Sequence, residues 1–236
     1  VLFRSLLLNV GGSSPATGKV TGIHWHVNPE NEVNYVSIDE RRQEIPWVSS
    51  KDKDGKIIEY FDRSRPVTAE QLANGKKRKM DCVDCHNRPA HLYLPPDLAV
   101  DKSFASGRLD QSLPFLKRQA VALLSGAYET NDQALGAIDA GLKDFYRVSY
   151  PDISMQKQDS ISAATLELQR IYQNYFFPEM RTNWQTHPNN AGHLNSPGCF
   201  RCHDGQHFSN TGKMISNDCN ICHTTLYDSD NPPSAN

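Results

Sequence analysis

The chain has 236 residues, one or two domains by ordinary size rules. Hydrophobic residues make up 38% and charged residues 22%, with a mean hydropathy of −0.61, a polar composition that still holds too much apolar material for a disordered chain. Twenty-five Lys and Arg against 27 Asp and Glu leave a net charge of −2, which excludes a general electrostatic drive toward nucleic acid or anionic lipid.

No apolar run approaches the about 20 residues of a membrane span. The opening VLFRSLLLNV is broken by Arg4 and lacks an initiator Met and a cleavage site. The expectation is a mature product or internal fragment, with any export signal or membrane anchor outside it.

In chain order, residues 1–32 carry Gly, Ser, Asn and Pro at the edges and the segment Thr21-Gly22-Ile23-His24-Trp25-His26-Val27. Residues 33–63 read as three short strands, EVNYVSID, EIPWVSS and KIIEYFD, separated by turn residues, hence a small antiparallel meander. Residues 64–110 hold a basic run, Lys76-Lys77-Arg78-Lys79, then Cys82-Val83-Asp84-Cys85-His86 and the Pro-rich loop NRPAHLYLPPD. The basic run suits haem propionates, an acidic redox partner or simply a solvated loop.

Residues 111–180 are helical by periodicity, with three apolar stripes. The first is Leu116, Ala120, Leu123, Leu124 and Ala127. The second is Leu135, Ile138, Leu142 and Phe145. The third is Ile161, Thr165, Leu168, Ile171, Tyr172 and Tyr175. This predicts a three-helix packing unit without a cofactor role. Residues 181–236 are irregular, contain Cys199-Phe200-Arg201-Cys202-His203 and Cys219-Asn220-Ile221-Cys222-His223, and end in the polar tail DSDNPPSAN, expected to be mobile. The expected division is therefore 1–110, 111–180 and 181–236. The expected class is mainly α with a small β meander and irregular haem-binding loops.

All six cysteines fall in three C-x-x-C-H units, the attachment signature of c-type haem. Two intervening residues place both sulfurs on one side of a helical turn, each to form a thioether with one haem vinyl group. The following His binds iron from below. The motifs predict three covalent haems c, held by Cys82, Cys85, Cys199, Cys202, Cys219 and Cys222, with His86, His203 and His223 as proximal ligands. The last two cysteine pairs also have zinc-ribbon spacing. That leaves the first pair without a partner and three successive His to chance, roughly one in ten thousand on composition. Redox dithiols would need a thioredoxin-like pattern that the sequence lacks.

The remaining imidazoles are the candidate distal ligands. His193 and His207 flank the second motif; His207 is too tightly tethered to cap its own haem and is expected to cap a neighbour. His91 follows His86 closely, so the same argument applies to it. His24 and His26 share one face if their segment is extended. His187 has the weakest case. Met80, Met155, Met180 and Met214 are alternatives that raise the potential, although Met80 is read as packing. Trp25, Trp47 and Trp184 are read as packing residues.

Bis-His iron implies an electron carrier and no enzyme, passing electrons between a quinol-linked donor or other cytochrome and a periplasmic or extracellular acceptor. The rivals are a catalytic multihaem reductase with one open haem and a zinc-ribbon interaction module. Thioether attachment occurs on the outer side of the energy-coupling membrane, so a periplasmic or extracellular location is expected.

The segments GIHWHV, DCVDCHNRPAHLYLPP and GHLNSPGCFRCHDGQH with DCNICH resemble the NapC/NirT multihaem cytochromes c. The likeness covers roughly 17–98 and 180–226. It implies that His91 is a distal ligand to a haem other than its neighbour. That family's membrane anchor and additional earlier motifs are absent from this sequence, so quinol oxidation does not follow from this chain alone. In a fragment, His91 and one of His24 or His26 would cap haems elsewhere.

Overall fold

The computed structural model describes residues 4–11, 22–52, 54–87 and 89–228. Of the tail DSDNPPSAN, all but Asp228 lie outside the described residues, as do Thr21 and Arg88 in the segments quoted above.

Two compact units form, one from residues 1–87 with 189–236 and one from 88–188. The three-part division expected from sequence therefore gives way to two. The two ends of the chain join because strands far apart in sequence pair with each other, which local patterning does not reveal.

In the first unit, β2 (Asn34–Val36), β3 (Trp47–Lys51) and β4 (Ile57–Asp62) are the expected meander. The sheet then grows at both sides. Strand β5 (Lys77–Lys79) pairs with β2, and β6 (His207–Ser209) pairs with β4 through Phe61 and Phe208. The order is β5-β2-β3-β4-β6, antiparallel throughout. The basic run is thus an edge strand, where charged side chains discourage further pairing. Its Arg78 turns to the carboxylates of Asp81 and Asp84, at 2.8 and 2.9 Å, and Lys77 lies over the Trp47 ring at 4.8 Å. One face of the sheet buries Val33, Tyr35, Ile45, Val48 and Met80, with Cys202 packed against them. Met80 is a packing residue, as its tether implied.

A separate ribbon pairs β1 (Arg4–Leu8) with β7 (His223–Asp228). Just beyond it, the Asn9 amide donates to the Cys222 carbonyl, and the Asn9 carbonyl accepts from Ile23. The ribbon thereby ties Gly22–Val27 to the third C-x-x-C-H motif.

Thr68 and Gln71 form a reciprocal cap on α1 (Ala69–Asn74). The same device recurs at α2 (Cys82–Cys85). There the Asp81 carboxylate accepts from Val83, and the Asp84 carboxylate accepts from the Asp81 amide.

The second unit has five helices where periodicity indicated three: α3 (Pro96–Ala105), α4 (Leu116–Leu124), α5 (Asn131–Ser149), α6 (Pro151–Gln156) and α7 (Gln158–Tyr175). The two extra helices begin at prolines, whose fixed φ and missing N–H suit a first helical position. α6 has only six residues, and the buried face of α3 is Pro96, Ala99, Val100 and Ser103, too small and polar to read as an apolar stripe. Leu116, Ala120, Leu124, Ile138, Leu142, Leu168 and Ile171 are buried as the stripes require, whereas Ala127 is exposed. Trp184 packs partly buried against this core. Inside it, Glu167 accepts hydrogen bonds from Ser103, Arg108 and Arg170.

Candidate haem-binding site

The three motifs are short turns of different kinds. Cys82–Cys85 is one α-helical turn, while Gly198–Arg201 and Cys219–Ile221 are 3-10 turns. Each is closed by a backbone hydrogen bond to the carbonyl of its first cysteine: from the His86 amide in the first, from the Cys202 and His203 amides in the second, and from the Cys222 amide in the third. This holds the two sulfurs of each pair together before any cofactor is considered.

All three converge on one cavity of about 310 Å³ in the first unit, lined by Cys85, Cys199, Cys202, His203 and Cys222 together with largely apolar side chains. That volume is of small-ligand size. The first motif is brought to the second by Arg201, which is buried. It donates to the carbonyls of Gly198, Arg42 and Asp84, each at 2.9 Å. The Asn190 amide donates to the Cys85 carbonyl at 2.9 Å. Asp84 in turn accepts from the Tyr35 hydroxyl at 2.6 Å and from Arg42 at 3.0 Å.

Gly198 makes the second turn possible. Its φ is +52°, and a Cβ there would lie 1.4 Å from the Gly192 carbonyl oxygen, which accepts from the Cys199 amide.

Burial raises the Cys85 and Cys222 thiols and pushes Cys202 up to about 12. Among the described residues, the only group of three or more side chains with ligand atoms mutually within 4.8 Å is Asp62, Asp204 and His207. There Asp62 is already engaged by Ser64 and Arg65. Six free cysteines in three pairs, four of them lining this apolar cavity, fit a group attached through thioethers.

The imidazoles sort clearly. Gly22–Val27 is a 3-10 turn and not extended, so residues two apart point in different directions. His24 is exposed, and His26 turns into the cavity. The Nε2 atoms of His26 and His203 lie 3.4 Å apart, with the rings at 83°. The His26 Nδ1 is 2.8 Å from the Ile23 carbonyl, and the His203 Nδ1 is 2.6 Å from the Ser216 carbonyl. Burial lowers the His26 pKa; the Ile23 hydrogen bond opposes this, and neighbouring His203 adds to it. The ring is thus kept in the neutral form that binds metals. His193 stacks on Phe200 and meets His223 at 6.0 Å between ring centres and 89° between planes. The Nδ1 of His223 is buried without a hydrogen-bond partner.

His207, expected to cap a neighbouring haem, is fully buried elsewhere. Its Nδ1 faces the Asp204 carboxylate at 2.9 Å and its Nε2 faces the Ile45 carbonyl at 2.7 Å. Both nitrogens are occupied because the ring is pinned where β6 joins the sheet, and neither is left for iron. His86 is exposed at the end of α2. In the second unit, His91 and His187 flank Tyr93, with ring centres 4.7 and 5.8 Å from it.

No family model matches the chain, and no solved structure matches it significantly. The chain is similar to the cytochrome c-type protein ImcH of Geobacter sulfurreducens, at 44% identity over 222 residues. The alignment covers 94% of this chain and 43% of that protein, so the chain spans less than half the length of its relative. This likeness supports a c-type cytochrome, with covalently bound haem c and a part in electron transfer.

Proposed function

We propose that the chain is a tri-haem portion of an electron-transferring cytochrome c, in or attached to the periplasmic or extracellular side of a membrane. Its electrons come from a quinol-linked donor or another cytochrome and leave to a periplasmic or extracellular acceptor. The observation that carries the reading is the gathering of all three C-x-x-C-H motifs on one apolar cavity. Haems held by these motifs would share one compact unit, the arrangement that electron passage between them requires.

Cys82 and Cys85, Cys199 and Cys202, and Cys219 and Cys222 would hold the haems, with His86, His203 and His223 beneath them. Each haem supplies a one-electron Fe(III)/Fe(II) couple. The protein's share is to fix the porphyrins, exclude water with the sheet core around Val33, Val48 and Met80, and hold the iron-facing imidazoles in place. The resemblance to the NapC/NirT cytochromes supports the same assignment. Among the described residues no helix is long and apolar enough to cross a membrane. Attachment would therefore rest on another part of the native polypeptide or on a partner.

The test is intact-mass measurement with a haem-stained denaturing gel. Three haem-sized additions surviving denaturation support the reading. A colourless protein with stoichiometric zinc overturns it. Potentiometry with soluble mediators then reads the reduction of each haem.

A further inference from the structure

We infer that His26 and His193 are distal axial ligands: His26 opposite His203 on the second haem, and His193 opposite His223 on the third. The inference rests on the tri-haem reading and adds to it which imidazole faces which.

The argument begins with proton positions at the first pair. A backbone carbonyl only accepts, so a ring nitrogen beside one carries the hydrogen. His26 Nδ1 beside Ile23 and His203 Nδ1 beside Ser216 are therefore N–H donors. A neutral imidazole has one N–H, which leaves both Nε2 atoms as bare lone pairs. These two lone pairs face each other at 3.4 Å. Two acceptors aimed at one another repel, and the arrangement is favourable with a proton or a metal ion shared between them. A metal bound by imidazole at about 2 Å on each side needs the nitrogens about 4 Å apart. The rings come within a small adjustment of that spacing. Ring N–H groups tied to carbonyls are also the usual way that a metal-binding His is oriented. Cys199 and Cys202, in the same motif as His203, line the same cavity, so a porphyrin bound there brings its iron to this axis.

The second pair repeats the pattern from different parts of the chain. His193 and His223 are crossed at 89°, as His26 and His203 are at 83°, and their ring centres are separated by 6.0 Å against 5.7 Å. His193 is set by stacking on Phe200 at 4.3 Å, and His223 follows directly on Cys222. His207 has both nitrogens engaged and does not compete. Met214 lines the cavity and is the competing sulfur ligand for the second haem.

Crossed imidazole planes leave two iron d orbitals nearly equal in energy. Both haems should then give strongly anisotropic low-spin ferric signals with a large leading g value. The test is low-temperature EPR of the haem-loaded protein carrying His26→Ala, His193→Ala, His24→Ala or Met214→Leu, each with its haem content measured. Loss of one anisotropic component in His26→Ala and in His193→Ala, with a high-spin ferric signal in its place and recovery on adding free imidazole, is expected. His24→Ala should leave the spectrum unchanged, and Met214→Leu should retain both anisotropic components. Where an alanine variant does not accumulate, His26→Met or His193→Met supplies a replacement ligand, and one haem should then titrate at a higher potential. Three haems with unaltered spectra in the His26 and His193 variants, or loss of an anisotropic component in the His24 or Met214 variant instead, overturn the pairing and leave the tri-haem reading standing. Absence of haem from the unsubstituted protein removes the reading itself.

Discussion

The guanidinium of Arg201, inside the second Cys-x-x-Cys-His motif, donates to the backbone carbonyl of Asp84, inside the first, at 2.9 Å. The two residues are 117 positions apart, and both are buried. They occupy the variable positions of their motifs, the ones that attachment chemistry leaves free. This structure uses them to lock one motif against the other. Arg201→Met removes the charged donor from the Gly198 and Arg42 carbonyls and leaves the Asp84 carbonyl only the long contact from the Asn190 side chain, at 3.4 Å. It should cost about 1–3 kcal/mol of stability, with the loss at the higher end. Denaturant unfolding of the haem-loaded protein, followed by far-ultraviolet circular dichroism, reads this. An unchanged midpoint would mean that the contact does not bind the motifs together.

The backbone of Gly198 predicts a more selective defect. With a φ of +52° and the Gly192 carbonyl in the space of any Cβ, Gly198→Ala must distort the turn that presents Cys199. Haem attachment should fail at the second motif alone, lowering the intact mass by one haem while the other two remain. Full occupancy in this variant would show that the turn has more latitude than its geometry implies.

His207 should matter for stability and not for spectra. Its ring supplies donors to Asp204 and Ile45 in the sheet. His207→Phe leaves a carboxylate and a carbonyl without them, for a loss of about 1–3 kcal/mol. The ferric EPR spectrum should match that of the unsubstituted protein. A new high-spin signal would instead place His207 on an iron.

Glu167 gives the helical unit an acid limit. Burial raises its carboxyl, and the hydrogen bonds from Arg170, Ser103 and Arg108 outweigh that and lower it to about 2, from an ordinary value of 4.5. A carboxyl whose folded value lies below its unfolded value stabilises fully above the unfolded value, and the contribution fades as pH falls toward the folded one. The protein should therefore lose stability between about pH 5 and pH 2. Glu167→Gln should cost about 1–3 kcal/mol near neutrality. It should also flatten that acid dependence. Thermal melts across the pH range test both, and parallel curves for the two proteins would dismiss the role.

What could be read in the sequence was whatever depends on near neighbours. The spacing of two sulfurs and an imidazole is a local requirement of thioether chemistry, so Cys82, Cys85 and His86 and their counterparts stand out as candidates from the sequence alone. Alternation likewise gave the strands around Tyr35, Val48 and Tyr60, and helical periodicity gave the buried faces of α4, α5 and α7. Strands β5 and β6 are only three residues each, too short for a pattern, and the charges of β5 look like a loop. They are strands because β2 and β4 offer unpaired edges.

Tertiary structure alone decided the fate of the spare imidazoles. His24 and His26 are equivalent as letters, and a 3-10 turn fixed to β1 turns only the second inward. His207 is as close to its motif as His193 is, yet sheet pairing at β6 consumes both of its nitrogens. A side chain's orientation follows from backbone torsions and from partners distant in the chain. Composition and spacing can therefore count the ligands, while only the folded backbone determines which rings face each other.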